Sequence, residues 1–297
     1  MRTKLIGFFI FNGIHKRPYY NIMPYDNTGT VHHTGVGNEK QLIEYANAHP
    51  DLRMNQHFQM RSDQVIPPVW SHLGGTTQKA DCVATVQDDN YLISVKNHES
   101  TGTFDWINTS KLHDINAVLG ESLKSQVAEF KAKYNGQEVT KEIRQEMENV
   151  FDGAFQLLSS DEIKTMLQGL YEKYPEYVLV NDRSQSRLVM YHKLNNFKEF
   201  THYEDWDYVL RSTRGKTSRM LFREKDGVSI NTNLRIRLVL NNGVNALIGQ
   251  SSKNKSSVPC LKIQQDRVNL LLTQLEDSII DTLPEPPVET ECEPNIT

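Results

Sequence analysis

Leu234, Ile236, Leu238 and Leu240 interleave with Arg235, Arg237 and Val239, and Leu261 and Ile263 interleave with Lys262 and Gln264. A period of two puts each apolar set on one face of a pleated strand, so residues 208–263 read as β structure with one face covered. The same period flanks Gln87-Asp88-Asp89-Asn90. Ala80, Cys82, Ala84 and Val86 share one parity, and Tyr91, Ile93 and Val95 the other. Strands over 79–86 and 91–96, joined by that four-residue turn, follow. Apolar runs also predict strands at 177–180 and 187–192. Residues 111–173, with SLKSQVAEFKAKY and DEIKTMLQGLYEKY, carry helical spacing. An earlier helix opens at Asn38 as cap, with Gln41 at the capping-box position, and is bounded by Pro50. Residues 51–78 lack a period and hold Pro67-Pro68 and Gly74-Gly75, which predicts irregular chain. Val268, Leu271, Leu272, Leu275 and Ile279 fall on one side of a last helix. These elements predict an α/β chain with a mixed β-sheet flanked by helices. Residues 1–280 form its body, a helical insertion covers about 111–175, and 281–297 form a disordered acidic, Pro-rich tail.

At 297 residues with 38% hydrophobic and 9% aromatic positions, the chain has ample material for a core. No run of 18 apolar residues is present, which predicts no membrane span. The apolar run 5–11 is interrupted by Gly7 and reads as a strand, not a signal segment. Cys82, Cys260 and Cys292 are far apart, which disfavours a disulfide or zinc framework and predicts a reducing, cytoplasmic setting. The formal charge of −4 conceals an asymmetry. Five acids and no Lys or Arg occupy residues 281–297, leaving residues 1–280 at +1. Within 211–237, eight basic residues face only Glu224 and Asp226, which predicts an anionic partner on one face.

The chemistry concentrates in the hairpin. With the four-residue turn closed, Val86 faces Tyr91, Thr85 faces Leu92, Val83 faces Ser94 and Asp81 faces Lys96. The last three pairs share one side of the sheet. A carboxylate beside an ammonium, with Ser94 one step away, suits metal-assisted hydrolysis of a phosphodiester. The carboxylate binds a hard cation such as Mg²⁺, or Mn²⁺ in its place, and the lysine stabilises developing negative charge. An ordinary cross-strand ion pair is the competing reading.

The spacing KAD…ISVK resembles the core motif of the PD-(D/E)XK nuclease superfamily, the restriction-endonuclease-like enzymes that include phage and bacterial members. The resemblance covers about residues 38–110. It implies a restriction-endonuclease-like fold and a metal-dependent DNA endonuclease. Asp81 would be the first motif acid and Lys96 the catalytic lysine. Glu39, on the apolar side of the helix after Asn38, would be the helical acid, while Glu44 falls on the polar side. Two departures stand out: Ser94 occupies the second acidic position, and Ala80 replaces the proline. The metal would then rest on Asp81, Glu39, water and the Val95 carbonyl, with Glu99 as a substitute ligand. Otherwise the chain is a weak or inactive nuclease-fold protein that binds nucleic acid.

DNA would be held by Lys79, Arg219, Arg223, Arg235, Arg237 and Lys262, with Gln264 able to reach a base edge. The competing reading pairs Arg235 and Arg237 with acids of the helical section such as Glu142, Glu146 or Glu148. A homodimer is compatible with either reading. No P-loop or GxGxxG is present, so an ATP-driven or dinucleotide enzyme is disfavoured.

Overall fold

A computed structural model describes residues 31–74, 80–98, 103–193, 205–213, 215–250, 256–275 and 277–283. The predicted strand at 5–11, Lys79, Glu99, Arg214 and residues 284–297 lie outside the described residues. The chain opens with helices Val31–Ala48 (α1) and Arg53–Arg61 (α2). Strands Val69–His72 (β1), Cys82–Val86 (β2), Asp89–His98 (β3) and Phe104–Thr109 (β4) follow. Helices Ala117–Tyr134 (α3), Lys141–Gln156 (α4) and Ser160–Lys173 (α5) make up the middle. Then come Tyr177–Asp182 (β5), Arg187–His192 (β6), Asp207–Thr213 (β7), Gly215–Lys225 (β8) and Val228–Leu240 (β9). The chain closes with Gly243–Leu247 (α6), Pro259–Gln265 (β10), Val268–Gln274 (α7) and Ile279–Thr282 (β11).

The protein is mixed α/β, with two sheets where the sequence reading expected one. The first runs β1-β2-β3-β5-β6-β11 and the second β4-β10-β9-β8-β7. In the first sheet β3 and β5 are parallel and the remaining pairs antiparallel. A parallel partner cannot be reached by a tight turn, so the chain between β3 and β5 must cross over. β4 and the helices α3–α5 fill that crossover, which places the expected helical insertion. The second sheet is antiparallel throughout.

Both faces of the first sheet are covered. Ile93, Val95, Tyr177 and Leu179 pack with Leu42, Ile43, Met54 and Phe58 of α1 and α2. Val178, Val180, Val189 and Tyr191 belong instead to a larger core. That core is filled by α3–α5 and closed by Leu234, Ile236, Leu238, Leu261 and Ile263 of the second sheet. Coverage on both sides explains why β5 is buried along its whole length.

Several local expectations are corrected. α1 begins at Val31, so Asn38 lies inside it and caps nothing. Residues 51–78 contain α2 and β1. The 2-residue periodicity of β1 is too short to stand out, and α2 is fixed from outside: the N–H groups of Arg53 and Met54 donate to the Asp281 carboxylate at 2.7 and 3.1 Å. Asp281 is therefore buried structure in β11, not the start of a tail. Leu283 is also buried and its N–H donates to the Ser186 carbonyl at 2.7 Å. The last helix is only Val268–Gln274, and Ile279 joins β11. No described helix is long and apolar enough to cross a membrane.

Candidate active site and basic sheet face

The hairpin forms with a tighter turn than expected. Val86 pairs with Asp89 and Cys82 with Ile93, leaving Gln87-Asp88 as a two-residue loop. Gln87 takes φ 51°, the positive φ that a II′-type hairpin requires at its first central position. Asp89 and Asn90 extend β3, and Thr85 Oγ1 donates across the strands to Asn90 Oδ1 at 2.8 Å. The register is thus shifted by two residues. A shift of two preserves every side-chain face but changes the neighbours. Asp81 therefore meets Ser94, with Lys96 one pleat further along, where Asp81 opposite Lys96 was expected.

Asp81 sits just ahead of β2, with its N–H donating to the Ile93 carbonyl at 2.9 Å. Its Oδ2 accepts from the Ser94 hydroxyl at 3.0 Å and from the Val95 N–H at 2.7 Å. Its Oδ1 has no hydrogen-bond partner among the described residues. Ser94 is buried and its Oγ also lies 3.2 Å from the Tyr174 hydroxyl. Ser94 therefore acts as a donor that orients Asp81. It does not replace the missing acid. Val95 likewise reaches Asp81 through its N–H; the expected ligand was its carbonyl.

Lys96 is half-buried beneath Tyr174, its Nζ 5.9 Å from the ring centre. Burial pulls the Lys96 ammonium down, but Tyr174, Asp81 and Asp105 outweigh it, and the net displacement is upward. The lysine is thus held as a cation. Glu39 arrives from α1 and accepts from, or shares a proton with, His72 Nε2 at 2.9 Å. Its carboxyl is pushed above the usual carboxylate range, first by burial and then by the negative charge of Asp81, with His72 and Lys96 opposing. Three elements thus bring Glu39, Asp81 and Lys96 within electrostatic reach of one another. Tyr174 was missed by sequence reading. It ends α5 immediately ahead of β5, so only the parallel crossover brings it over Lys96. Asp105, which had no assigned role, reaches Lys96 because β4 runs beside β3 at the junction of the sheets.

The expected DNA-binding residues divide. Arg219 lies opposite Ile236, on the inner face of β8. It is 7% exposed, pairs with Asp152 of α4 and covers the Phe155 ring. Its charge is matched inside the protein, so the expectation that it meets a phosphate is not met. Arg223 stacks on Trp206, 5.0 Å from the ring centre. Arg235, Arg237, Lys262 and Gln264 do share the outer face of the second sheet. Gln264 is directly across from Arg235, and Lys262 directly across from Arg237.

Most of these charges have local partners. Arg235 Nε donates to Asp266 Oδ2 at 3.0 Å. Lys262 Nζ lies 3.6 Å from Asp105, which also accepts from Gln264 at 2.7 Å. Arg211 pairs with Glu224. Among the described residues Arg237 meets only the neutral Gln264 amide, at 3.2 Å. The acids involved are Asp105, Asp152, Glu224 and Asp266. None of Glu142, Glu146 and Glu148 is among them, and Glu146 instead binds Lys133 and Tyr134. Asp152 comes from α4, in the helical section; the other partners lie on or beside the strands of the second sheet, where register sets the pairs and the sequence alone does not reveal it. Arg237 and Lys262 remain as like charges directly opposed, bordering a cavity of about 220 Å³ with Asn108 and Asn241.

No group of three or more His, Cys, Asp or Glu side chains is poised to hold a metal among the described residues. Comparison with known proteins returned no matching family model, no similar curated protein and no similar solved structure.

Proposed function

We propose that the protein is a metal-dependent DNA endonuclease with a PD-(D/E)XK-like site at Glu39, Asp81 and Lys96. The observation that carries this reading is the meeting of two carboxylates and one lysine from α1, the start of β2 and β3. The negative charge of Asp81 raises the cost of ionising Glu39, and an added cation relieves that repulsion. Asp81 Oδ1 and the Glu39 oxygen not facing His72 suit a hard, oxygen-seeking cation such as Mg²⁺ or Mn²⁺. When bound, such an ion polarises a phosphate and acidifies water.

The chain's own residues do the remainder. Ser94 and the Val95 N–H fix the Asp81 carboxylate through Oδ2 and leave Oδ1 without a hydrogen bond among the described residues. His72 holds Glu39 in the same way. Lys96, kept protonated by Tyr174, Asp81 and Asp105, stabilises negative charge building on the phosphate oxygens. Arg237, which meets the neutral Gln264 amide and lies across from Lys262, is the cation of this face that suits a backbone phosphate. Plasmid DNA incubated with Mg²⁺ or Mn²⁺ tests the reading. Nicking by the parent chain, lost in Asp81→Asn and restored in neither metal, supports it; equal cleavage by parent and Asp81→Asn removes it.

A second reading is favoured by one observation: the donor set ends at two carboxylates, with Ser94 turned to donate to Asp81. On that reading the chain binds nucleic acid through the outer face of the second sheet without turnover. It predicts salt-dependent binding with no metal-dependent cleavage.

A further inference from the structure

Tyr174 stands where α5 gives way to β5, and its side chain joins parts of the site that arrive on different strands. α5 ends at Lys173, and Tyr174 takes φ −82° and ψ 144°, an extended conformation. Pro175 follows. A proline disfavours helix at the residue before it and brings no N–H of its own, which leaves the carbonyls of the last turn short of donors. Lys193, just past the end of β6, supplies one. Its Nζ donates to the carbonyls of Tyr171 and Tyr174 at 3.0 Å each, and lies 4.5 Å from the centre of the Tyr171 ring. The Lys193 N–H donates to the Glu176 carbonyl at 2.8 Å, so the pairing of β5 with β6 carries this lysine to the helix end. An ammonium there also meets the negative end of the helix dipole.

The Tyr174 side chain is held by what surrounds it. Its ring meets Trp106 of β4 edge-on, with centres 5.5 Å apart. Its hydroxyl lies 3.2 Å from Ser94 Oγ and hydrogen-bonds Lys96. Tyr174 is 4% and Ser94 1% exposed, which leaves little room for water as a partner. Counting hydrogens then fixes each direction. Ser94 has one hydroxyl hydrogen and gives it to Asp81 Oδ2 at 3.0 Å. The Tyr174 hydroxyl therefore donates to Ser94 Oγ. The Lys96 ammonium, which has no acceptor capacity, donates to the Tyr174 oxygen. One chain of donors thus runs from the Lys96 ammonium through Tyr174 and Ser94 to the Asp81 carboxylate. Opposite charges at its two ends polarise the hydroxyls between them and strengthen each link.

We infer that Tyr174 is the positioning residue for Lys96, and that Lys193, two strands away from it in the first sheet, positions Tyr174. Both act through Lys96. Lys193 clamps the backbone at the end of α5, that backbone aims the Tyr174 hydroxyl, and the hydroxyl holds Lys96 and Asp81 at the two ends of one chain. Ser94, in the place of the second motif acid, is the neutral link of that chain. The role in cleavage rests on the proposed nuclease reading, whereas the placement of Lys96 needs neither metal nor cleavage.

The test is two measurements on the full chain. In the first, isotopically labelled lysine reports the Lys96 ammonium by nuclear magnetic resonance at about pH 7, well below the ordinary lysine range. Its N–H signal, identified by its loss in Lys96→Met, is expected in the parent, because a half-buried, hydrogen-bonded ammonium exchanges slowly with water. Tyr174→Phe and Lys193→Met should each erase it. Lys193→Arg, which still donates to both carbonyls, should keep it. In the second, cleavage of supercoiled plasmid with Mg²⁺ is followed over a range of DNA concentrations. Lys193→Met should lower kcat about tenfold with KM unchanged, and should lower it no further in the Lys96→Met background. A lysine that only caps α5 gives another pattern: a lower melting temperature, an unaltered Lys96 signal and the same loss of rate in both backgrounds. That pattern, or a parent without the Lys96 signal, overturns the inference. Tyr174→Phe keeps the clamp and the ring and removes only the hydroxyl, so it decides the chain even where Lys193→Met folds poorly; a Lys96 signal that survives it overturns the inference too. If the parent does not cut, a signal lost in Lys193→Met and kept in Lys193→Arg leaves the placement of Lys96 standing and sinks the nuclease reading alone.

Discussion

At the residue scale the decisive side chain is Asp81, because one of its oxygens is locked and the other is available. Asp81→Asn keeps an acceptor for Ser94 or Val95 but loses the charge. The expected outcome is loss of any Mg²⁺- or Mn²⁺-induced rise in melting temperature with the apo melting temperature nearly unchanged, checked by differential scanning fluorimetry. Lys96→Met should leave that metal-induced rise in place and lower the cleavage rate by about 100- to 1,000-fold, read on supercoiled plasmid. Glu39 makes a pH prediction. Its folded pKa is raised, by burial first and then by Asp81. The protonated form is therefore favoured by the fold, and its contribution to stability is present below the ordinary carboxylate range and lost as pH rises through the raised value. Glu39→Gln should keep the contact with His72 and remove this loss. Melting curves taken from about pH 4 to about pH 7 should converge for the two chains at the acid end and favour the variant at the neutral end. A parent curve that rises relative to the variant over that range would contradict the assignment.

At the scale of elements, the clearest dependence joins the two ends of the described chain. Leu52, the residue ahead of α2, supplies no side-chain cap, and Asp281 of β11 does the capping from more than 200 residues away. Asp281→Ala should cost about 1 kcal/mol, the usual value of a lost helix cap. Ending the chain after residue 280 should cost more, since it removes Asp281 and also strips Leu283 from the core that α1 and α2 share with the first sheet. Full burial of a leucine is worth about 1.5–3 kcal/mol, so urea midpoints should rank parent above Asp281→Ala above the truncation. An unchanged midpoint on truncation would show that β11 contributes little.

Across the whole molecule, the question is how much of the basic segment reaches a partner. The sequence counted eight basic residues between 211 and 237, but in the fold Arg211, Arg219 and Arg235 are each matched by an acid. Only cations without a charged partner release counterions fully when they meet phosphate, at about −0.9 in slope for each. Replacing Arg235 and Arg237 together should therefore reduce the slope of log K against log salt by about one, not two. The Arg235 half of the change should appear as lost stability, because it leaves Asp266 buried and short of a partner. Replacing Arg237 alone should give the same change in slope with no loss of melting temperature. Fluorescence anisotropy over a salt series, with a melting curve for each variant, measures both.

The sequence by itself determined what depends on period and on chemical type. Alternation in 234–240 and 261–264 specified strands with one apolar face. Helical spacing specified α3–α5, and the polar row of β3 specified that Asp81, Ser94 and Lys96 share a side. That conclusion survived the wrong turn length because a two-residue shift leaves every face in place. The tertiary structure alone decided who touches whom. Register gave Ser94 to Asp81, the parallel crossover brought Tyr174 over Lys96, and the inner face of β8 turned Arg219 toward Asp152. Two sheets formed where one was expected, because alternation states that a strand has a covered face without stating which layer covers it. Contacts of that kind join residues far apart in sequence, and no local pattern records them.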